Sequence, residues 1–186
     1  MPALAEERMN LHYLPMPELQ FPWEELRDWG RANRQNFSHS RGDSTGGLWG
    51  CVIPYHFVKI LNDQFLMDIF SFNQGQQVVR NGQMYILLDD YPEHIDLRRA
   101  ASINILLNGR SRTVFAGDIE CPYVLGEPML FNTQMPHAVY REGVDERMMV
   151  SFMITIGFQR MANLYERGVL FRDIPRIYHT QEVIPE

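Results

Sequence analysis

Apolar residues recur at helical spacing in WEELRDWGRANRQ, where Trp23, Leu26 and Trp29 share a face and Pro22 with Glu24 and Glu25 suits a helix N-terminus. The same period returns in HFVKILNDQFLMDIF, residues 56–70, with Phe57, Ile60, Leu61, Phe65, Asp68 and Ile69 giving one mostly apolar face. After Asn73 the period changes. Short runs bounded by Gly, Pro, Asn and Asp follow one another: QQVVR, MYILLD, HIDLR, ASINILL, RTVFAG, YVLGEPMLFN, HAVYR and RMMVSFMITIGF. Eight strand-like runs with turn residues between them predict an antiparallel sandwich or barrel. QRMANLYERGVLF reads as a last helix, and a polar extension follows Pro175. Helices, then a block of strands, then one helix predict a mainly β fold with flanking helices rather than alternating α/β.

Pro2, Pro15, Pro17 and Pro22 interrupt any regular element over residues 1–22, which predicts an arm laid across the body. SHSRGDSTGGLWG, residues 38–50, reads as a polar, Gly-rich loop able to serve as a lid. No repeat, low-complexity tract or long linker divides the chain. A single domain is therefore expected over 1–186, with the arm and helices in 1–75, the β core in 76–158 and a helix and tail in 159–186.

Composition narrows the function classes. A chain of 186 residues can bury a sufficient core without disulfides or a structural metal, so a bound metal would point to function. With 17 Lys+Arg against 23 Asp+Glu, a net charge of -6 and no basic block, general nucleic-acid binding is not expected. Cys51 and Cys121 are too few and too far apart for a disulfide framework or a CxxC zinc set, so reduced thiols in a cytoplasmic protein are expected. The first twenty residues have neither a secretory nor an Arg-rich transit pattern, and no run approaches membrane-spanning length, so no membrane partner is expected. The apolar C-terminal helix could pack on the β core or on a second subunit, which leaves a homodimer open.

The candidate chemistry sits in the strand-like runs. In HIDLR, strand alternation sends His94 and Asp96 to one face and Ile95 to the other. A third metal ligand must come from elsewhere, and His137, opening HAVYR, is better placed than His12, His39, His56 or His179. Two imidazoles and one carboxylate leave open positions on an octahedral ion, an arrangement suited to non-haem Fe(II) that binds a co-substrate and oxygen together. Arg147 follows His137 by ten residues and opens a strongly apolar run. A permanent cation there wants an anionic partner, either a ligand carboxylate or one of Glu142, Asp145 and Glu146. Arg98 and Arg99 point to opposite faces of a strand, so at most one looks into a site, where it would help bind an acidic substrate group or the co-substrate, and a surface position is the simpler reading. The methionines Met148, Met149, Met153 and Met161 read as packing, as do Trp23 and Trp29.

These residues resemble the 2-oxoglutarate- and Fe(II)-dependent oxygenases, in particular prolyl-hydroxylase-like or related small members. HIDLRRAASINILLNG resembles the segment with their first two ligands, and GEPMLFNTQMPHAVYREGVDER the segment with the third. The resemblance covers about residues 76–158 and implies a double-stranded β-helix, a jelly-roll or cupin-like barrel. It implies Fe(II) held by His94, Asp96 and His137, and 2-oxoglutarate as co-substrate with its distal carboxylate on Arg147. Tyr85 resembles the tyrosine that hydrogen-bonds the co-substrate, and Tyr91 matches another tyrosine common in these proteins. The position two after the arginine, Ser or Thr in many members, is Met149, and Tyr85, Asn104 or Ser102 could replace that anchor. Hydroxylation of a small-molecule or peptide substrate, with release of succinate and CO2, is the implied outcome. A cupin-type metal enzyme without 2-oxoglutarate and a non-catalytic ligand-binding barrel are the competing readings.

Overall fold

The computed structural model of the protein describes residues 12–39, 47–66, 77–96, 99–143 and 146–172. Four strands form the centre of a larger sheet: β4 (Val79–Leu87), β6 (Ala101–Asn108), β9 (Pro128–Phe131) and β11 (Arg147–Ile154). Four more form the smaller sheet: β5 (Tyr91–His94), β7 (Arg110–Phe115), β8 (Ile119–Cys121) and β10 (His137–Glu142). Along the chain the strands pass back and forth between the two sheets, which is the double-stranded β-helix, and every pairing between named strands is antiparallel.

Three additions widen the larger sheet to seven strands, ordered β1-β9-β6-β11-β4-β3-β2. The proline-rich arm supplies β1 (Tyr13–Pro15), which pairs with β9 instead of lying across the body as expected. Its proline is tolerated because among the described residues β1 is an edge strand with no neighbour on its outer side. The segment read as a Gly-rich lid supplies the other edge: β2 (Ser38–His39) pairs with β3 (Leu48–Val52), and the residues between them lie outside the described set. Trp49 packs edge-on against His39 across this pair. QQVVR and MYILLD fuse into the single strand β4. Gly82 permits this, since a Cβ there would lie 2.6 Å from Ile53 Cδ1 and 3.0 Å from Phe152 Cδ1.

The outer face of the larger sheet carries the core. Helices α1 (Trp23–Ala32), α2 (Tyr55–Asn62) and α3 (Phe158–Glu166) bury Leu26, Phe57, Leu61 and Met161 against Met84, Ile86, Ile103, Ile105, Val150 and Phe152. The helix expected over 56–70 stops near Asn62, whose side-chain amide ties the helix end to β4 by donating to Val79 O at 2.9 Å, while Phe65 still enters the core. Residues 67–70 lie outside the described set. The last helix buries Phe158, Met161 and Ala162 in the same core, so its apolar face is covered within the chain. Among the described residues no helix is long and apolar enough to cross a membrane.

The β6–β7 hairpin turns at Asn108–Gly109, a dipeptide favoured where positive φ is required, and Gly109 has φ 77°. A Cβ there would lie 2.6 Å from Glu146 O and 3.0 Å from Arg147 Cα, so the turn rests on the backbone that opens β11. Gly109→Ala is expected to destabilise the protein by about 1–3 kcal/mol through strain and backbone contact. Chemical denaturation checks this, and an unchanged midpoint would contradict the packing described.

Candidate metal centre

The larger sheet's inner face and the smaller sheet enclose a cavity of about 190 Å³. A water needs only ~10–15 Å³ of such space, so there is room for a small organic ligand as well as an ion. His94 ends β5 and faces His137 at the start of β10 in direct register, with ring centroids 4.3 Å apart. Two steps along β10, His137 to Val139, face three along β5, Tyr91 to His94, so β5 carries the extra residue and is re-aimed at this point, as bulges beside sites do. Asp96 joins them differently from the expected strand alternation. Strand β5 ends at His94, and Asp96 lies just beyond it, held by its backbone N–H bond to Thr133 O at 3.0 Å. One ligand atom from each of His94, Asp96 and His137 falls within 4.8 Å of the others.

Each imidazole is oriented by the carbonyl two residues before it. His94 Nδ1 lies 2.8 Å from Pro92 O, and His137 Nδ1 lies 2.9 Å from Met135 O. A carbonyl can only accept, so both Nδ1 atoms carry a proton, which leaves Nε2 as the ring atom that would bind a metal. This is the outer-shell arrangement that metal-ligating histidines use. Burial among Phe115, Phe131 and His94 lowers the His137 pKa from its ordinary value, with His94 and Arg99 adding to the effect and the Met135 carbonyl and Asp96 opposing it. Two neutral nitrogens and one carboxylate oxygen are a donor set that fits a divalent first-row metal such as Fe(II).

Arg147, Met149 and Ser151 line the cavity from β11, as do Ser102 and Asn104 from β6 and Tyr85 and Leu87 from β4. Arg147 is 4% exposed. Glu146, offered by the sequence as a partner, pairs instead with Arg34, while Asp145 lies outside the described residues. The contacts of the guanidinium are the Met149 thioether, 3.4 Å from Nη2, and the Tyr123 ring, centred 5.9 Å away. Its Nε has no hydrogen-bond partner among the described residues. Burial pulls the Arg147 pKa down to about 10, with Tyr123 and Cys121 opposing, so the side chain remains a cation at neutral pH.

Tyr85 and Asn104 border the same space. Tyr85 accepts from Arg99 Nη2 at 3.0 Å, and Asn104 accepts from Ser102 at 2.9 Å while donating to Tyr123 at 3.0 Å. Tyr91 stacks edge-on against His94, with ring centroids 4.5 Å apart. Arg98 lies outside the described residues, but Arg99 corrects the surface reading: it lines the cavity and donates to Ser151 Oγ at 3.1 Å.

Two further wall groups escaped the sequence. Thr113 is 1% exposed and its hydroxyl has no partner among the described residues. Alternation with Phe115, which registers with His137, would have placed Thr113 on the inner face. Tyr123 arrives in the irregular segment after β8, where the hydrophobic pattern carries no signal. Burial drives its hydroxyl well above the ordinary phenol range, Cys121 adding to this while Arg147 and the Asn104 bond oppose it. Cys51 and Cys121 are unbridged, and burial pushes their thiols up to about 11 and about 12.

No described protein family and no curated protein matches the sequence. Among solved structures the chain is similar to a prolyl-4-hydroxylase from Pseudomonas putida, with 15% identity and a TM-score of 0.47 over 79% of this chain and 95% of that one. It is also similar to an oxidoreductase of the 2OG-Fe(II) oxygenase family from Burkholderia pseudomallei, with 14% identity and a TM-score of 0.48 over 77% and 84%. An RmlC-like cupin protein from Desulfovibrio desulfuricans matches with 14% identity and a TM-score of 0.35 over 65% and 85%. At identities and scores of this size, a functional reading has to come from the site itself.

Asp96→Ala and His137→Ala are each expected to weaken Fe(II) or Mn(II) binding at least tenfold by anaerobic calorimetry, with the fold retained by circular dichroism. Wild-type affinity in either variant would remove that residue from the site. Arg147→Met is expected to stabilise the ligand-free protein by about 1–4 kcal/mol, because an apolar side chain replaces a buried cation with no counter-ion among the described residues. Denaturant unfolding of the metal-free protein measures this, and a loss of stability would mean the guanidinium is satisfied within the fold.

Proposed function

We propose that the chain is a non-haem Fe(II), 2-oxoglutarate-dependent oxygenase that hydroxylates its substrate with release of succinate and CO2. The observation that carries this reading is the buried Arg147 guanidinium, with no carboxylate partner among the described residues, in the same cavity as the His94, Asp96 and His137 cluster. Such a cation is costly to keep unless a ligand supplies the missing anion, and its planar fork suits a carboxylate. A co-substrate that is anionic at one end and chelating at the other uses both features together.

His94 and His137 would hold the ion through Nε2 and Asp96 through its carboxylate. When bound, such an iron supplies oxygen activation coupled to decarboxylation of 2-oxoglutarate. Arg147 anchors the distal carboxylate, and the Thr113 hydroxyl is a second donor to it, in the role that Met149 cannot fill. Tyr85 and Asn104 border the co-substrate. Leu48, Leu87, Phe131, Val139 and Met149 exclude water and strengthen each of these polar contacts. The cupin-type alternative explains the metal cluster but gives the buried guanidinium no partner.

Anaerobic titration with Fe(II) and 2-oxoglutarate, followed by the weak visible charge-transfer band of the chelate, tests the assignment. Wild type is expected to form the band. Arg147→Ala should need at least tenfold more 2-oxoglutarate, and Thr113→Val about threefold to tenfold more, as expected for losing a charge-assisted hydrogen bond. No band in wild type at any concentration would sink the reading.

A further inference from the structure

The charges lining the cavity do not balance even when this co-substrate is counted. Among the described residues, Arg99 and Arg147 face the cavity against the single carboxylate of Asp96, in a protein whose net charge is -6. A divalent ion raises the surplus to three positive charges, and a dicarboxylate co-substrate removes two of them. The remaining charge belongs to Arg99, because Arg147 is matched by the co-substrate. Tyr85 and Tyr123 do not discharge it, since burial keeps both phenols protonated at neutral pH.

Arg99 is built into the site. Its carbonyl accepts from the Thr133 hydroxyl at 2.7 Å and from the Gln134 side chain, and its N–H bonds Asp96 O at 3.2 Å. The segment leaving Asp96 is thereby stitched to the turn that leads into His137. The guanidinium donates to two neutral hydroxyls, those of Ser151 and Tyr85, and approaches Asp96 only to 4.0 Å. Two of its five donors are used by these hydroxyls, and its side chain keeps 20% exposure, so it is reachable from solvent. Arg147 lies deeper in the same cavity.

We propose that Arg99 is a second anion-binding group in this cavity and that the substrate carries one carboxylate, which Arg99 holds. A monoanion cancels the remaining charge, whereas a phosphate dianion overshoots it. The inference rests on the oxygenase reading for its charge count.

The test uses the full chain loaded anaerobically with Fe(II) and saturating 2-oxoglutarate. Benzoate, octanoate and N-acetyl-L-proline are each compared with the matching primary amide by calorimetry. At least one acid is expected to bind tenfold or more tightly than its amide, with that preference lost in Arg99→Gln and partly restored in Arg99→Lys. The 2-oxoglutarate needed to form the charge-transfer band should change less than threefold in both variants. Acids that bind no better than their amides in wild type overturn the proposal, as does a preference that survives in Arg99→Gln. A tenfold rise in the 2-oxoglutarate requirement of Arg99→Gln assigns the guanidinium to the co-substrate instead, which also overturns it. If wild type forms no band, the oxygenase reading fails separately, and the acid–amide comparison repeated without iron and co-substrate still decides Arg99.

Discussion

Strand alternation in the larger sheet is the constraint on which core and cavity both depend. In β11, Met148, Val150 and Phe152 enter the helix-covered core, while Arg147, Met149 and Ser151 line the cavity. Strand β6 divides Ile103 and Ile105 from Ser102 and Asn104 in the same way, and β4 divides Met84 and Ile86 from Tyr85 and Leu87. A slip of one residue in β11 would drive Arg147 into hydrocarbon and Phe152 into the cavity, so the core that stabilises the fold also specifies the register of the site. Ser151 pairs with Asn104 and Met149 with Tyr85 because Phe152 and Val150 leave the strand no other choice.

The metal cluster depends on a second, more local device. Both imidazoles sit two residues after the carbonyl that holds their Nδ1, and in both segments a proline lies within two residues of the histidine, Pro92 before His94 and Pro136 before His137. Proline fixes its own φ and keeps the preceding residue extended, so the backbone presenting each carbonyl is already restricted before tertiary contacts form. The rings thus have their tautomer and aim set by chain neighbours, and the sheets need only bring the two segments into register.

What could be read from the sequence follows this division of labour. Strand-like runs, the three candidate ligands and Arg147 were legible because each is a polar residue interrupting an apolar, period-two pattern. The geometry of Asp96 was not, because the pattern continues past His94 although the pairing of β5 ends there. Gly82 looked like a boundary, yet in the fold it is the small residue that lets Ile53 and Phe152 cross β4. The four prolines of the arm argued against regular structure and could not show that β9 has an open edge for three residues to join. Arg99 and Tyr123 are placed by long-range contacts, to Ser151 and Thr133 in one case and to Asn104 in the other, which no local pattern records.

Met149 shows how the site keeps an unsatisfied cation without unfolding. A carboxylate at that position would pair with Arg147 and stabilise the fold, but it would also fill the anion site from within. A thioether is a weak acceptor and a polarizable neighbour, so it packs against the guanidinium at 3.4 Å without neutralising it. The Tyr123 ring, centred 5.9 Å from the guanidinium, attracts the charge through its quadrupole without neutralising it. Soft, uncharged contacts therefore lower the cost of burying Arg147 just enough for the surrounding core to carry it. The strong interaction is left for a ligand, whose binding energy is larger because the protein has not already satisfied the charge.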